Sequence, residues 1–134
     1  MAAAVVQILT GLIHSLSFLM PLSAANDTEK QLISLMTTYK RDMGLGFSPT
    51  IFELFTALSA CFALIYLFGG VLLIYLLRKQ LDLPVMKGVL NISILFFGIA
   101  FAVMAVFTFP PPIVLTGLSF VLLVVSRLAA GRPM

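Results

Sequence analysis

Tryptophan is absent from this chain, and histidine and cysteine occur once each, as His14 and Cys61. A lone histidine excludes a bis-histidine haem or a multi-histidine zinc site within one chain. A lone cysteine excludes an intrachain disulfide and says nothing of the redox compartment; in the middle of an apolar run, Cys61 reads as a small buried packing residue. Charge is equally scarce. Asp, Glu, Lys and Arg make up 10% of 134 residues, where soluble domains carry about a quarter. No catalytic, metal-binding or nucleotide-binding pattern stands out, so neither an enzyme nor a cofactor is indicated.

What fills the chain instead is hydrophobic sequence, 61% of it, with a mean hydropathy of +1.16. That composition belongs in lipid. The apolar runs are continuous rather than alternating, which argues against a β-barrel and for helices. A bilayer core needs roughly 20 apolar residues per helix, so four spans use most of one domain, 1–134. The expected fold is an all-α, four-transmembrane-helix bundle, with spans near 2–22, 50–77, 85–108 and 112–127. The first run reads as a span rather than a cleaved signal, because no Lys or Arg precedes it and it exceeds a usual signal core.

The longest polar segment follows the first span. Asn26 can cap a helix and Glu29 stands three residues on. Leu32, Leu35, Met36, Tyr39 and Met43 then recur at three- and four-residue steps, which predicts an amphipathic helix at the membrane surface over about 27–43. Gly44-Leu45-Gly46 is expected to end it. Pro49 suits the first turn of the second span, and Pro110-Pro111-Pro112 is expected to form an extended break that leaves a short fourth span.

The net charge of +3 does not point to nucleic acid, because the basic residues sit singly or in pairs at the ends of apolar runs. Arg78, Lys79, Lys87, Arg127 and Arg132 flank the second connection and the C-terminus. Lys30, Lys40 and Arg41 in the first connection are offset by Asp27, Glu29 and Asp42. The positive-inside rule therefore places both termini in the cytoplasm and the amphipathic segment outside.

Polar residues within the spans are the candidate site. Gln7, Thr10, Gly11, His14 and Ser17 form one stripe on the first span, which should turn away from lipid toward a neighbour or a cavity. His14 can bind a ligand headgroup or relay protons; alternatively it makes an interhelical hydrogen bond that fixes packing. Glu53 fits a capping box with Thr50, or else faces a ligand together with Thr56. Thr56, Ala60 and Ala63 on the second span, and Asn91, Gly98, Ala102 and Ala105 on the third, form small-residue faces that let helices approach closely.

Gly11-Leu12-Ile13-His14, with Tyr39-Lys40-Arg41-Asp42-Met43-Gly44 leading into Phe52-Glu53-Leu54-Phe55, resembles a family of small four-helix bacterial inner-membrane proteins to which no activity is attached. The likeness covers about the first half of the chain and implies the bacterial inner membrane. Gln80-Leu81-Asp82-Leu83-Pro84, followed by Gly88, resembles a loop of the small multidrug resistance transporters. That family carries its essential glutamate in the first helix, where this chain has His14, and its loop precedes the last helix rather than the third.

Two functions follow as expectations. One is a binding or accessory protein that holds a lipid-like molecule or docks on a larger membrane complex. The other is a small transporter working as a homo-oligomer. Membrane lipid is the expected partner in either case.

Overall fold

The computed structural model describes residues 1–130; Arg132, counted above for orientation, lies outside them. The apolar runs fold into α1 (Ala2–Leu16), α3 (Ile51–Arg78), α4 (Leu83–Phe107) and α5 (Pro110–Ala129), with α2 (Asp27–Thr38) in the first connection. With a 3₁₀ turn at Ser17–Leu19 extending α1, four of these helices are long and apolar enough to cross a membrane. The protein is an all-α bundle of four transmembrane helices with a short amphipathic helix between the first two. Four crossings return the chain to its starting side. Met1 and Ala130 accordingly line one groove together with Leu77 and Met86 from the α3–α4 connection.

Helix ends follow local chemistry. The first span stops as a regular α-helix at Leu16, short of the expected Leu22. Ser15 and Ser17 donate their hydroxyls back to the carbonyls of Gly11 and His14 at 2.8 and 2.7 Å, and Pro21 holds Met20 extended. Asn26 caps α2 as expected, accepting from the Glu29 amide at 2.9 Å. The amphipathic helix ends at Thr38, however, and does not reach Met43. Residues 40–50 form a hairpin instead, with Lys40 bridged to Thr50, Arg41 N–H donating to Pro49 at 3.0 Å and Met43 N–H to Phe47 at 2.9 Å. Gly44, Leu45 and Gly46, all at positive φ, make its tip rather than a helix terminus.

Pro49 stands just outside α3, because Thr50 takes the cap position. The three prolines at 110–112 do not break the chain. They form the first turn of α5, where the amide hydrogens they lack have no helical partner in any case. With 20 residues, α5 is about 30 Å long, enough to span the core.

Association of these helices relies on close backbone approach, since lipid offers no hydrophobic drive between them. Helix α1 packs between α3 and α5, antiparallel to α3, while α4 packs on α5. A Cβ at Gly70 would stand 2.7 Å from the Ala4 carbonyl oxygen, and one at Gly11 would stand 3.0 Å from that of Ala63. Between α4 and α5 the fit is reciprocal. The Phe120 ring edge lies over Gly98, the Phe101 ring edge lies over Gly117, and the two rings stack 6.2 Å apart.

The small-residue faces are therefore only partly as expected. Ala63 and Gly98 lie in contacts, but Thr56, Asn91, Ala102 and Ala105 are exposed. Cys61 is exposed too, not buried, because α3 turns Ala63, Tyr66, Gly70 and Leu73 inward and Cys61 falls off that face.

Candidate functional site

The buried centre of the bundle is polar to an unusual degree. Gln7, Thr10, Thr116 and Ser119 are each 2% exposed or less, as is Tyr66. Three of the hydroxyls are satisfied simply: Thr10 donates to Val6 O at 2.8 Å, Ser119 to Leu115 O at 3.0 Å, and Tyr66 to Thr116 Oγ1 at 2.9 Å. Gln7 is different. Its Oε1 lies against Gly69, and neither Oε1 nor Nε2 has a hydrogen-bond partner among the described residues.

Two turns along α1 from Gln7, the His14 ring sits edge-on to Phe62 of α3, with centroids 4.8 Å apart, and to Phe18 at 6.0 Å. Phe62 continues the series to Tyr66 at 4.6 Å, and Tyr66 to Phe97 of α4 at 5.2 Å. His14 thus points into the bundle toward α3, but what it meets is aromatic. Its Nε2 is buried and has no partner among the described residues. Whichever tautomer is present, that nitrogen is an unused donor or acceptor, and leaving such a group buried costs about 1–3 kcal/mol.

His14 lines a cleft at the α2 end of the bundle. Thr10, Ile13 and Ser17 of the first span, Phe62 of α3, and Phe109, Pro111, Pro112, Leu115 and Thr116 from the start of α5 complete its wall. The cleft holds about 210 Å³ and is open on one side. Its wall is largely aliphatic, aromatic and prolyl, with a few polar groups. Such a wall suits an apolar molecule carrying one polar head.

The stripe expected on α1 is therefore divided. Thr10, His14 and Ser17 come together in this cleft, while Gln7 lies deeper and does not line it. Thr56 lines a separate groove with Ser17, Phe52 and Phe55, and its hydroxyl bonds back to Phe52 O at 2.9 Å. Glu53 belongs to neither. Its Oε2 accepts from the Thr50 amide at 2.7 Å and the Thr50 hydroxyl at 3.0 Å, and its own amide donates to Thr50 Oγ1 at 3.2 Å. That is the complete capping box, and it engages the carboxylate at the start of α3.

Sequence reasoning did not reach Tyr66, Thr116 or Ser119. The signal was available for two of them. Thr116, Ser119 and Leu123 recur at three- and four-residue steps and are all buried, the same pattern that marked the α1 stripe. Tyr66 had no such signal within an unbroken apolar run. Set against family models, curated proteins and solved structures, the chain matches none.

Proposed function

We propose that the protein binds a lipid-like amphiphile in the cleft at the α2 end, with His14 receiving the polar head and the proline- and aromatic-lined wall receiving part of the chain. One observation carries this reading: a buried ring nitrogen without a partner belongs to a residue lining an apolar cleft. A ligand hydroxyl or carbonyl there would satisfy a group that the bundle leaves unsatisfied. The cleft is small for a whole lipid, so the rest of the chain continues through its open side into the bilayer.

The charge asymmetry supports an outward-facing site. With Arg78, Lys79, Lys87 and Arg127 at the termini end, the positive-inside rule puts the cleft and α2 on the outer face. Exposed Leu32, Leu35 and Tyr39 then rest at the outer membrane surface. A reporter fused at either terminus should be cytoplasmic.

Replacement of His14 by phenylalanine separates ligand binding from packing. His14→Phe keeps an aromatic ring against Phe18 and Phe62 and removes the unpaired nitrogen. Thermal stability should hold or rise, while an amphiphile recovered by extraction and mass spectrometry from the purified wild type should be lost. A variant that is destabilised yet keeps the same extracted molecule would refute the assignment.

A small transporter is the second reading. Gln7 supports it, being unpartnered between the cleft and the groove that Ala3 and Ala4 line at the termini end. It is the weaker reading. Among the described residues the only carboxylate on the four spanning helices is Glu53, and that is engaged at a helix cap.

A further inference from the structure

At the termini end, α4 and α5 are joined by a polar contact that the cleft does not involve. Arg127 Nε donates to Asn91 Oδ1 at 2.8 Å. Arginine has only donors, so it fixes which end of the Asn91 amide faces it: Oδ1 is turned inward and the two Nδ2 hydrogens point away. Arg127 keeps the four N–H donors on its outer nitrogens. Lys87, one turn before Asn91 on the same helix, adds an ammonium group. With Asn91 Oδ1 engaged, the groups these three side chains offer are mostly donors, and two carry full positive charge.

Arg127 stands in the last turn of α5 and Lys87 about one turn into α4, and from there the cluster reaches inward. Asn91 lies about 12 Å along α4 from its first residue, and the hydrogen bond holds Arg127 toward it rather than free in solvent. Gly88, one turn before Asn91, leaves that face of α4 open: a Cβ built there meets no atom of the described residues within 4 Å. Beyond Asn91, at successive four-residue steps, Leu95 and Ile99 stand 59% and 55% exposed. A cationic, donor-rich cluster therefore adjoins an uncovered face of α4 and continues into an apolar track along one helix.

We infer that Lys87, Asn91 and Arg127 hold the phosphodiester of an anionic membrane lipid, whose acyl chain lies along Leu95 and Ile99. Arginine provides forked donors to two phosphate oxygens, lysine a point charge, and the asparagine amide a neutral donor between them. Basic pockets between transmembrane helices on the cytoplasmic side suit such headgroups.

Native mass spectrometry of the full-length protein in mild detergent tests this, with palmitoyl-oleoyl phosphatidylglycerol and phosphatidylcholine as probes. Both lipids carry the phosphodiester, but the choline ammonium of phosphatidylcholine is repelled by Lys87 and Arg127, so phosphatidylglycerol should be retained about tenfold better. Arg127→Gln and Lys87→Gln should each remove most of that preference, and Arg78→Gln, at the same end but outside the cluster, should leave it intact. Gly88→Leu puts a side chain on the open face beside Asn91 without striking any described neighbour, so it should fold normally and lose the bound lipid with every charge in place. Equal retention of the two lipids would overturn the proposal. So would equal losses in Arg78→Gln and Arg127→Gln, which would mean diffuse attraction to positive charge. Displacement of the lipid by inorganic phosphate alone would assign the cluster to the free anion and overturn the lipid.

Discussion

Tyr66 on α3 donates a hydrogen bond to Thr116 on α5 across 50 residues of sequence, 2.9 Å long and fully enclosed by the bundle. It ties together two helices that share α1 as their common neighbour, and its acceptor Thr116 lines the cleft with His14. In a bilayer such contacts are modest, averaging about 0.6 kcal/mol and reaching about 1.7. Tyr66→Phe should therefore fold and lose no more than about 2 kcal/mol. Tyr66→Ala, which also removes the ring between Phe62 and Phe97, should cost about 3–5 kcal/mol. Thermal unfolding of the two variants side by side measures the difference.

Gly70 and Gly88 should respond in opposite directions to the same change. At Gly70 a methyl group would meet the Ala4 carbonyl at 2.7 Å and Ile8 Cγ1 at 2.6 Å, so α1 and α3 must move apart. Gly70→Ala should destabilise by about 1–3 kcal/mol. At Gly88 the space is open, and alanine is the better helix former by up to about 1 kcal/mol. Gly88→Ala should match or exceed the wild type in unfolding temperature.

The Thr50–Glu53 box should matter locally. Thr50→Ala removes the side-chain acceptor for the Glu53 amide and should cost about 1 kcal/mol. Hydrogen exchange should show faster opening confined to the first turn of α3, with α4 and α5 unchanged.

How far the molecule could be read from its sequence depended on the kind of force at work. Four long apolar runs dictate four helices in lipid. The caps at Asn26 and Thr50 are local chemistry, and local chemistry is legible. Prolines 110–112 misled because proline excludes the helix interior but suits its first turn, and the sequence does not say which side of the boundary it occupies. Residues 40–50 misled in another way: Tyr39 and Met43 carry helical spacing, yet the hydrogen bonds from Arg41 and Met43 go to Pro49 and Phe47. Of the α1 stripe, Gln7, Thr10 and Gly11 are buried, while His14 is half-buried and Ser17 exposed. Which of its members share a cleft was set by α3 and α5, through Phe62, Pro112 and Thr116, and no pattern within α1 encodes those neighbours.

His14 is the single histidine in the chain, so labelling with ¹⁵N-histidine places one imidazole reporter at the proposed site. Titration with a medium-chain alcohol or monoglyceride in mild detergent should shift the Nε2 resonance to a saturating limit, and a plain alkane of the same length should not. That dependence on a polar head is what the unpartnered nitrogen predicts. An Nε2 resonance that stays fixed while the amphiphile is shown to occupy the cleft, or that moves equally with the alkane, would contradict the account.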